Sequence, residues 1–177
     1  MQHAERAFIG VRGARIVCQE WLPDGDPRAV LVLVHGLAEH CCRYGNLVDH
    51  FVPRGFAVHG HDHIGHGRSG GRRVFVRRFE DLTEVLDLQI DRVRARHPAK
   101  PLFLIGHSLG ALIASRFLLD RQEATSGAVL SGALVKIPPS ISAPPTKPTM
   151  TGMATAATPG MTISFNAAVV AISTHFT

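Results

Sequence analysis

The run Gly106-His107-Ser108-Leu109-Gly110 sets a serine between two glycines. A serine hydroxyl held on a sharp strand-to-helix turn can attack a carbonyl carbon. Positions 106 and 110 must then be small, because the turn crowds the backbone around them. The N-terminus of the following helix also favours developing negative charge. The string alone is weak, since chance yields it in about one in twenty chains of this length, so its setting decides. Residues 101–105 form a short apolar run of strand type, and residues 111–119 are apolar enough for a buried helix. Ser108 stands at the joint between them and is the expected nucleophile, with acyl transfer as its chemistry.

Acyl transfer also needs two backbone N–H groups aimed at the oxyanion. The residue after the nucleophile, Leu109, supplies one, and the loop after an earlier strand supplies the other. His35-Gly36-Leu37-Ala38-Glu39 directly follows the aliphatic run Ala29–Val34. Gly36 lets this backbone fold close to the serine, which leaves the Leu37 N–H as the second donor. His35 reads as a packing and hydrogen-bonding residue rather than a base, because it precedes the serine on the wrong loop. Glu39, Arg43 and Tyr44 are expected to brace the loop through ion pairing and packing, with ordinary surface contacts as the alternative.

The elements needed to hold these groups are legible around them. Residues 7–11 and 15–21, with a turn at Gly13, predict an opening antiparallel hairpin. The all-aliphatic Ala29–Val34 predicts a strand buried on both faces. A helix over 44–53, a strand over 56–59 and a strand over 128–130 follow the same reading. Phe79, Leu82, Leu86, Ile90 and Val93 recur at three- and four-residue steps, which predicts a long helix ending near His97-Pro98. Strands alternating with helices predict an α/β class: a mainly parallel sheet flanked by helices.

Composition bounds the rest. A chain of 177 residues with 45% hydrophobic content can bury one core. The net charge of +5 is modest and spread along the chain, which argues against a nucleic-acid partner. The densest basic stretch, Arg72, Arg73, Arg77 and Arg78, could meet anionic lipid or phosphate, but reads first as a solvated loop and helix entry and is assigned no function. Residues 1–7 lack the order of a signal peptide and no run of about 18 apolar residues suggests a membrane span, so a cytoplasmic chain is expected. Cys18, Cys41 and Cys42 lack the spacing of a zinc site or disulfide framework and are expected as free thiols. After Lys136 the composition breaks: residues 138–177 hold Lys147 as their only Lys, Arg, Asp or Glu. The chain therefore divides into 1–136 and a Pro/Thr/Ala-rich tail, 137–177, with no regular element expected before about 163–172.

Three motifs carry a family resemblance: His35-Gly36-Leu37-Ala38-Glu39-His40 followed by Arg43-Tyr44; Asp62-His63-Ile64-Gly65-His66-Gly67-Arg68-Ser69-Gly70-Gly71; and Gly106-His107-Ser108-Leu109-Gly110. In this order and spacing they resemble the monoacylglycerol lipase and lysophospholipase branch of the α/β-hydrolases, over about residues 7–136. The resemblance implies the α/β-hydrolase fold, cut short after about the sixth strand. It also implies hydrolysis of a monoacylglycerol or lysophospholipid-like ester by a Ser-Asp-His triad, without metal or cofactor, and transient contact with a membrane surface. Ile64 departs from the family, which usually has Arg there, as does Ala111, where a further Gly is common. The larger departure follows Ser108. The family order is serine, acid, histidine, yet the only later carboxylates are Asp120 and Glu123 and the only later histidine is His175. A truncated, frameshifted or recombined product is expected, with an exposed sheet edge open to self-association. An inactive remnant serving at most as a binding module is the alternative reading.

A different class is suggested by His59-Gly60-His61-Asp62-His63, with His66 close behind. Imidazole and carboxylate at alternate positions can converge on Zn²⁺, and the string resembles that of metallo-β-lactamase-fold hydrolases, one residue short. A metal-dependent hydrolase is thus the third reading. Against it, Asp62 and His63 can instead hydrogen-bond backbone in a loop where Gly65, Gly67 and Gly70 permit tight turns.

Overall fold

A computed structural model describes residues 1–133 and the strand Val169–Ser173. The hairpin forms as expected: β1 (Gln2–Ile9) pairs antiparallel with β2 (Arg15–Leu22), from Gln2 opposite Leu22 to Ile9 opposite Arg15. Next come β3 (Ala29–Val34), α1 (Gly45–Phe51), β4 (Phe56–His61), α2 (Glu80–Arg96), β5 (Leu102–His107), α3 (Leu109–Asp120) and β6 (Gly127–Ser131). Val169–Ser173 is β7. The sheet order is β1-β2-β4-β3-β5-β6-β7. β4, β3, β5 and β6 form a parallel centre, joined by antiparallel β2 on one side and antiparallel β7 on the other.

β3 shows why the centre is stable. All six of its residues are buried, and they divide by the two-residue period of a strand. Val30, Val32 and Val34 enter the core under α2 and α3, whereas Leu31 and Leu33 enter the opposite core with Val48, Val52 and Trp21. The predicted α2 stripe packs into the first core through Leu82, Leu86, Ile90 and Val93, and α3 adds Ala111, Ile113, Ala114, Phe117 and Leu118. Each large side chain so buried contributes about 1.5–3 kcal/mol. The helix expected over 44–53 is shorter. Turns of 3₁₀ helix at Cys41–Tyr44 and Val52–Arg54 flank α1, the second containing Pro53, and Gly55 closes it at φ 85°. Proline lacks the N–H that would extend the α-helical ladder.

The tail supplies a strand where composition offered no clear element. β7 is rich in β-branched residues and covers the outer edge of β6, from Gly127 opposite Ser173 to Ser131 opposite Val169. The rest of the segment 137–177 lies outside the described residues, His175 included. Among the described residues no helix is long and apolar enough to cross a membrane.

Candidate active site

β5 runs straight into α3, and Ser108 occupies the joint with φ 51° and ψ −115°. A non-glycine residue adopts this conformation only when its surroundings enforce it. Here they do. The Ser108 N–H donates to the Ser131 carbonyl at 2.8 Å, and its own carbonyl accepts from the Leu112 N–H at 3.2 Å. The flanking glycines are required by contact. A Cβ on Gly110 would lie 1.9 Å from the Val34 carbonyl oxygen, and one on Gly106 would lie 2.8 Å from the Ala111 Cα. Leu109 opens α3, so its N–H belongs to the unpaired first turn at the positive end of the helix. The Ser108 side chain caps no helix N–H and makes no hydrogen bond among the described residues.

The second loop abuts this turn, because β3 lies beside β5 with Val34 opposite Gly106. A Cβ on Gly36 would lie 3.4 Å from the His107 carbonyl and 2.5 Å from Glu39 Oε1. His35 shapes the loop. Its Nε2 accepts the His63 N–H at 3.0 Å, so the ring proton is on Nδ1, which donates to the Gly36 carbonyl at 2.7 Å. That carbonyl and the Leu37 N–H share one trans peptide plane and point in opposite directions. Holding the carbonyl toward the buried ring therefore turns the Leu37 N–H away from it. Burial pushes the His35 pKa down to about 4, against a smaller upward pull from the Gly36 bond, so the ring stays neutral in this role.

Glu39 and Arg43 do not form the expected ion pair. The Glu39 carboxylate instead lies against Gly36 and 4.0 Å from His107 Nε2, while Arg43 is exposed on its 3₁₀ turn without an ion-pair partner among the described residues. Tyr44 is half-buried beside Glu39, and burial pushes its phenol up to about 12. Glu39, Tyr44, Ile105, His107 and Val129 line a cleft of about 470 Å³ below the elbow. The cleft exists because no described helix covers the α1 side of β6, where Val129 is 39% exposed.

The histidine-rich segment is arranged differently. His61 and His63 are fully buried, and His35, His63 and His66 pack against one another at tilted and edge-on angles, with 3.8 Å between the first two ring centres. His63 Nε2 donates to the His35 carbonyl at 2.8 Å, and His66 Nδ1 donates to that of Ile64 at 3.0 Å. Asp62 accepts the Cys41 and Arg68 N–H groups at 2.9 and 2.8 Å. Burial would raise its carboxyl, but these N–H groups outweigh it and hold the pKa below the ordinary value. Burial lowers the pKa of His61 to about 3, and that of His63 well below its usual range. The third reading is therefore corrected. Among the described residues no three His, Cys, Asp or Glu side chains gather as a metal site: Asp62, His63 and His66 each bond backbone, and the ring nitrogens without a partner there, both of His61, Nδ1 of His63 and Nε2 of His66, do not converge on one point with other ligands.

Asp120 and Glu123 do not approach Ser108. Asp120 pairs with Arg116 in the last turn of α3, about 17 Å along the helix from its start. Glu123 pairs with Arg121.

Comparison with known proteins agrees with this geometry. The profile of the serine aminopeptidase, S33, family matches residues 25–175. Monoacylglycerol lipase of Mycolicibacterium smegmatis is 41% identical over 132 residues, 75% of this chain and 47% of that protein. Monoglyceride lipase of Mus musculus is 34% identical over 128 residues, 72% of this chain and 42% of that protein. Among solved structures, the Paleococcus ferrophilus monoacylglycerol lipase aligns with TM-score 0.58 and 31% identity, covering 78% of this chain and 46% of that one. A carboxyl esterase from Bacillus coagulans gives 0.65 and 27%, covering 72% and 43%. The chain thus spans about half the length of the curated relatives it matches. The match of its profile over 151 of 177 residues, together with the sheet and elbow described above, means that this chain belongs to the serine aminopeptidase S33 family and has the α/β-hydrolase fold.

Proposed function

We propose that this chain is the nucleophile-bearing part of a serine ester hydrolase acting on single-chain glycerol lipids, a monoacylglycerol or a lysophospholipid. One observation carries the reading: Ser108 is held in a strained turn at the head of α3, next to the Gly36 loop whose carbonyl His35 holds. Ser108 Oγ attacks the ester carbonyl, and its proton passes to a histidine and on to the departing glycerol-side alcohol. Water then releases the acyl group by the reverse sequence. The Leu37 and Leu109 N–H groups hold the oxyanion in both steps. Gly36, Gly106 and Gly110 allow the close approach, and Glu39 and His107 support the loop from the cleft side. The base and its acid are not found among residues 1–133, where the only carboxylates after Ser108 are Asp120 and Glu123. Self-association, if a sheet edge drives it, runs through β1 or β7, since β6 is covered.

Hydrolysis of a monoacylglycerol and of a lysophosphatidylcholine by the purified chain, beside Ser108→Ala, tests this. Turnover lost in the variant supports the reading, and the ratio of the two substrates sets the head-group preference. Equal rates from two folded samples overturn it.

A further inference from the structure

The loop between β4 and α2 has a feature that its arginines conceal in the sequence. Val74 and Phe75 are 57% and 49% exposed, side by side, within Arg72-Arg73-Val74-Phe75-Val76-Arg77-Arg78. Val74 also adopts φ 50°, a left-handed conformation that a β-branched residue rarely takes. The loop is held in this shape. The Val74 N–H donates to the Gly65 carbonyl at 3.0 Å, and Gly65 packs so closely beneath that a Cβ there would meet the Arg72 carbonyl at 2.3 Å. Val76 anchors the far side in the core. A strained valine with its side chain in water serves neither packing nor backbone, so the exposed pair calls for a partner.

Charge identifies the partner. Arg78 is paired with Asp81 and Glu84, but the other three guanidinium groups have no carboxylate partner among the described residues. Arg72 lies over the Phe75 ring at 5.3 Å, Arg73 donates to the Gly67 carbonyl at 2.9 Å, and Arg77 makes no ion pair among the described residues. Apolar side chains at the tip with uncompensated arginines around them suit a bilayer surface with anionic headgroups: the apolar pair enters the headgroup boundary and the cations meet phosphate. A nucleic acid would engage the arginines and leave Val74 unused. The location also fits. β3, β4 and β5 are parallel, so this loop, the Leu37 loop and Ser108 all leave the same edge of the sheet.

We propose that the 72–78 loop docks the protein on anionic membranes with the nucleophile edge facing the lipid. This rests on the lipid-ester reading for its purpose, but its test does not need turnover. Co-sedimentation with phosphatidylcholine vesicles, with and without about one-third phosphatidylglycerol, reads it directly. The wild type is expected to bind the mixed vesicles and to lose binding with added salt. Val74→Gly combined with Phe75→Ser is expected to weaken binding about tenfold, and Arg77→Ala about fivefold. Val74→Gly relieves the backbone, and circular dichroism confirms that each variant is folded. Failure of the wild type to bind mixed vesicles, or undiminished binding by the folded double variant, overturns the proposal. Displacement from vesicles by an oligonucleotide, with the double variant bound as tightly as wild type, assigns the loop to polyanions generally and also overturns it. Hydrolysis of a water-soluble ester by the same samples reads the hydrolase proposal separately, because the loop variants leave Ser108 and its N–H groups intact.

Discussion

Two glycine-rich turns leave the carboxyl ends of neighbouring parallel strands, and they hold their polar side chains in opposite ways. The loop after β4 holds Asp62, His63 and His66, and each is buried and bound to backbone. The turn after β5 holds a single serine, strained, partly exposed and without a hydrogen-bond partner among the described residues. Residue type suggests a site; burial and backbone bonding decide which side chains stay open to a substrate.

Acid has the largest expected effect, through the buried histidines on and beside β4 rather than through the serine turn. Burial lowers His35 and His59 to about 4 from the ordinary 6.5, so the unfolded chain binds protons that the folded chain excludes. Their stabilising contribution is complete above pH 6.5 and is lost as the pH falls toward 4. At about 3 kcal/mol each this rivals the whole stability of a small domain. Thermal melts across this range are expected to show a steep fall in midpoint. A flat profile would mean that the imidazoles are not buried neutral. Gly110→Ala comes next, because its Cβ meets the Val34 carbonyl at 1.9 Å; a loss of about 4 kcal/mol, or no folded protein, is expected from denaturant titration.

Asp62→Ala, which strips the Cys41 and Arg68 N–H groups of their acceptor, is expected to cost about 3 kcal/mol in the same titration. The smallest effect has the opposite sign. Ser108→Gly relieves a positive-φ residue and is expected to raise stability by about 1 kcal/mol while removing the nucleophile. A gain at the serine turn and a loss at the histidine loop would sharpen the comparison, and losses of equal size would break it.

Much of this was legible beforehand. The hairpin, β3, the α2 stripe, β5 and the elbow follow from periods and glycines that a local window contains, and so does the backbone-binding role of Asp62 and His63. What was not legible depended on contacts across the sheet. The approach of Glu39 to His107 at 4.0 Å depends on β5, which brings in a neighbour 68 positions away in the chain. The tautomer of His35 is fixed by His63, 28 residues on. β7 overlaps the stretch 163–172 left open above, but its pairing depended on the open edge of β6. The exposure of Val74 and Phe75 was hidden by the arginines that flank them.

The most direct test is intact-mass and peptide mapping of the chain after treatment with a fluorophosphonate, in parallel with Ser108→Ala. The account predicts one adduct, on the peptide containing Ser108, and none in the variant. An adduct on another serine, or a folded wild-type chain that stays unmodified, would contradict it.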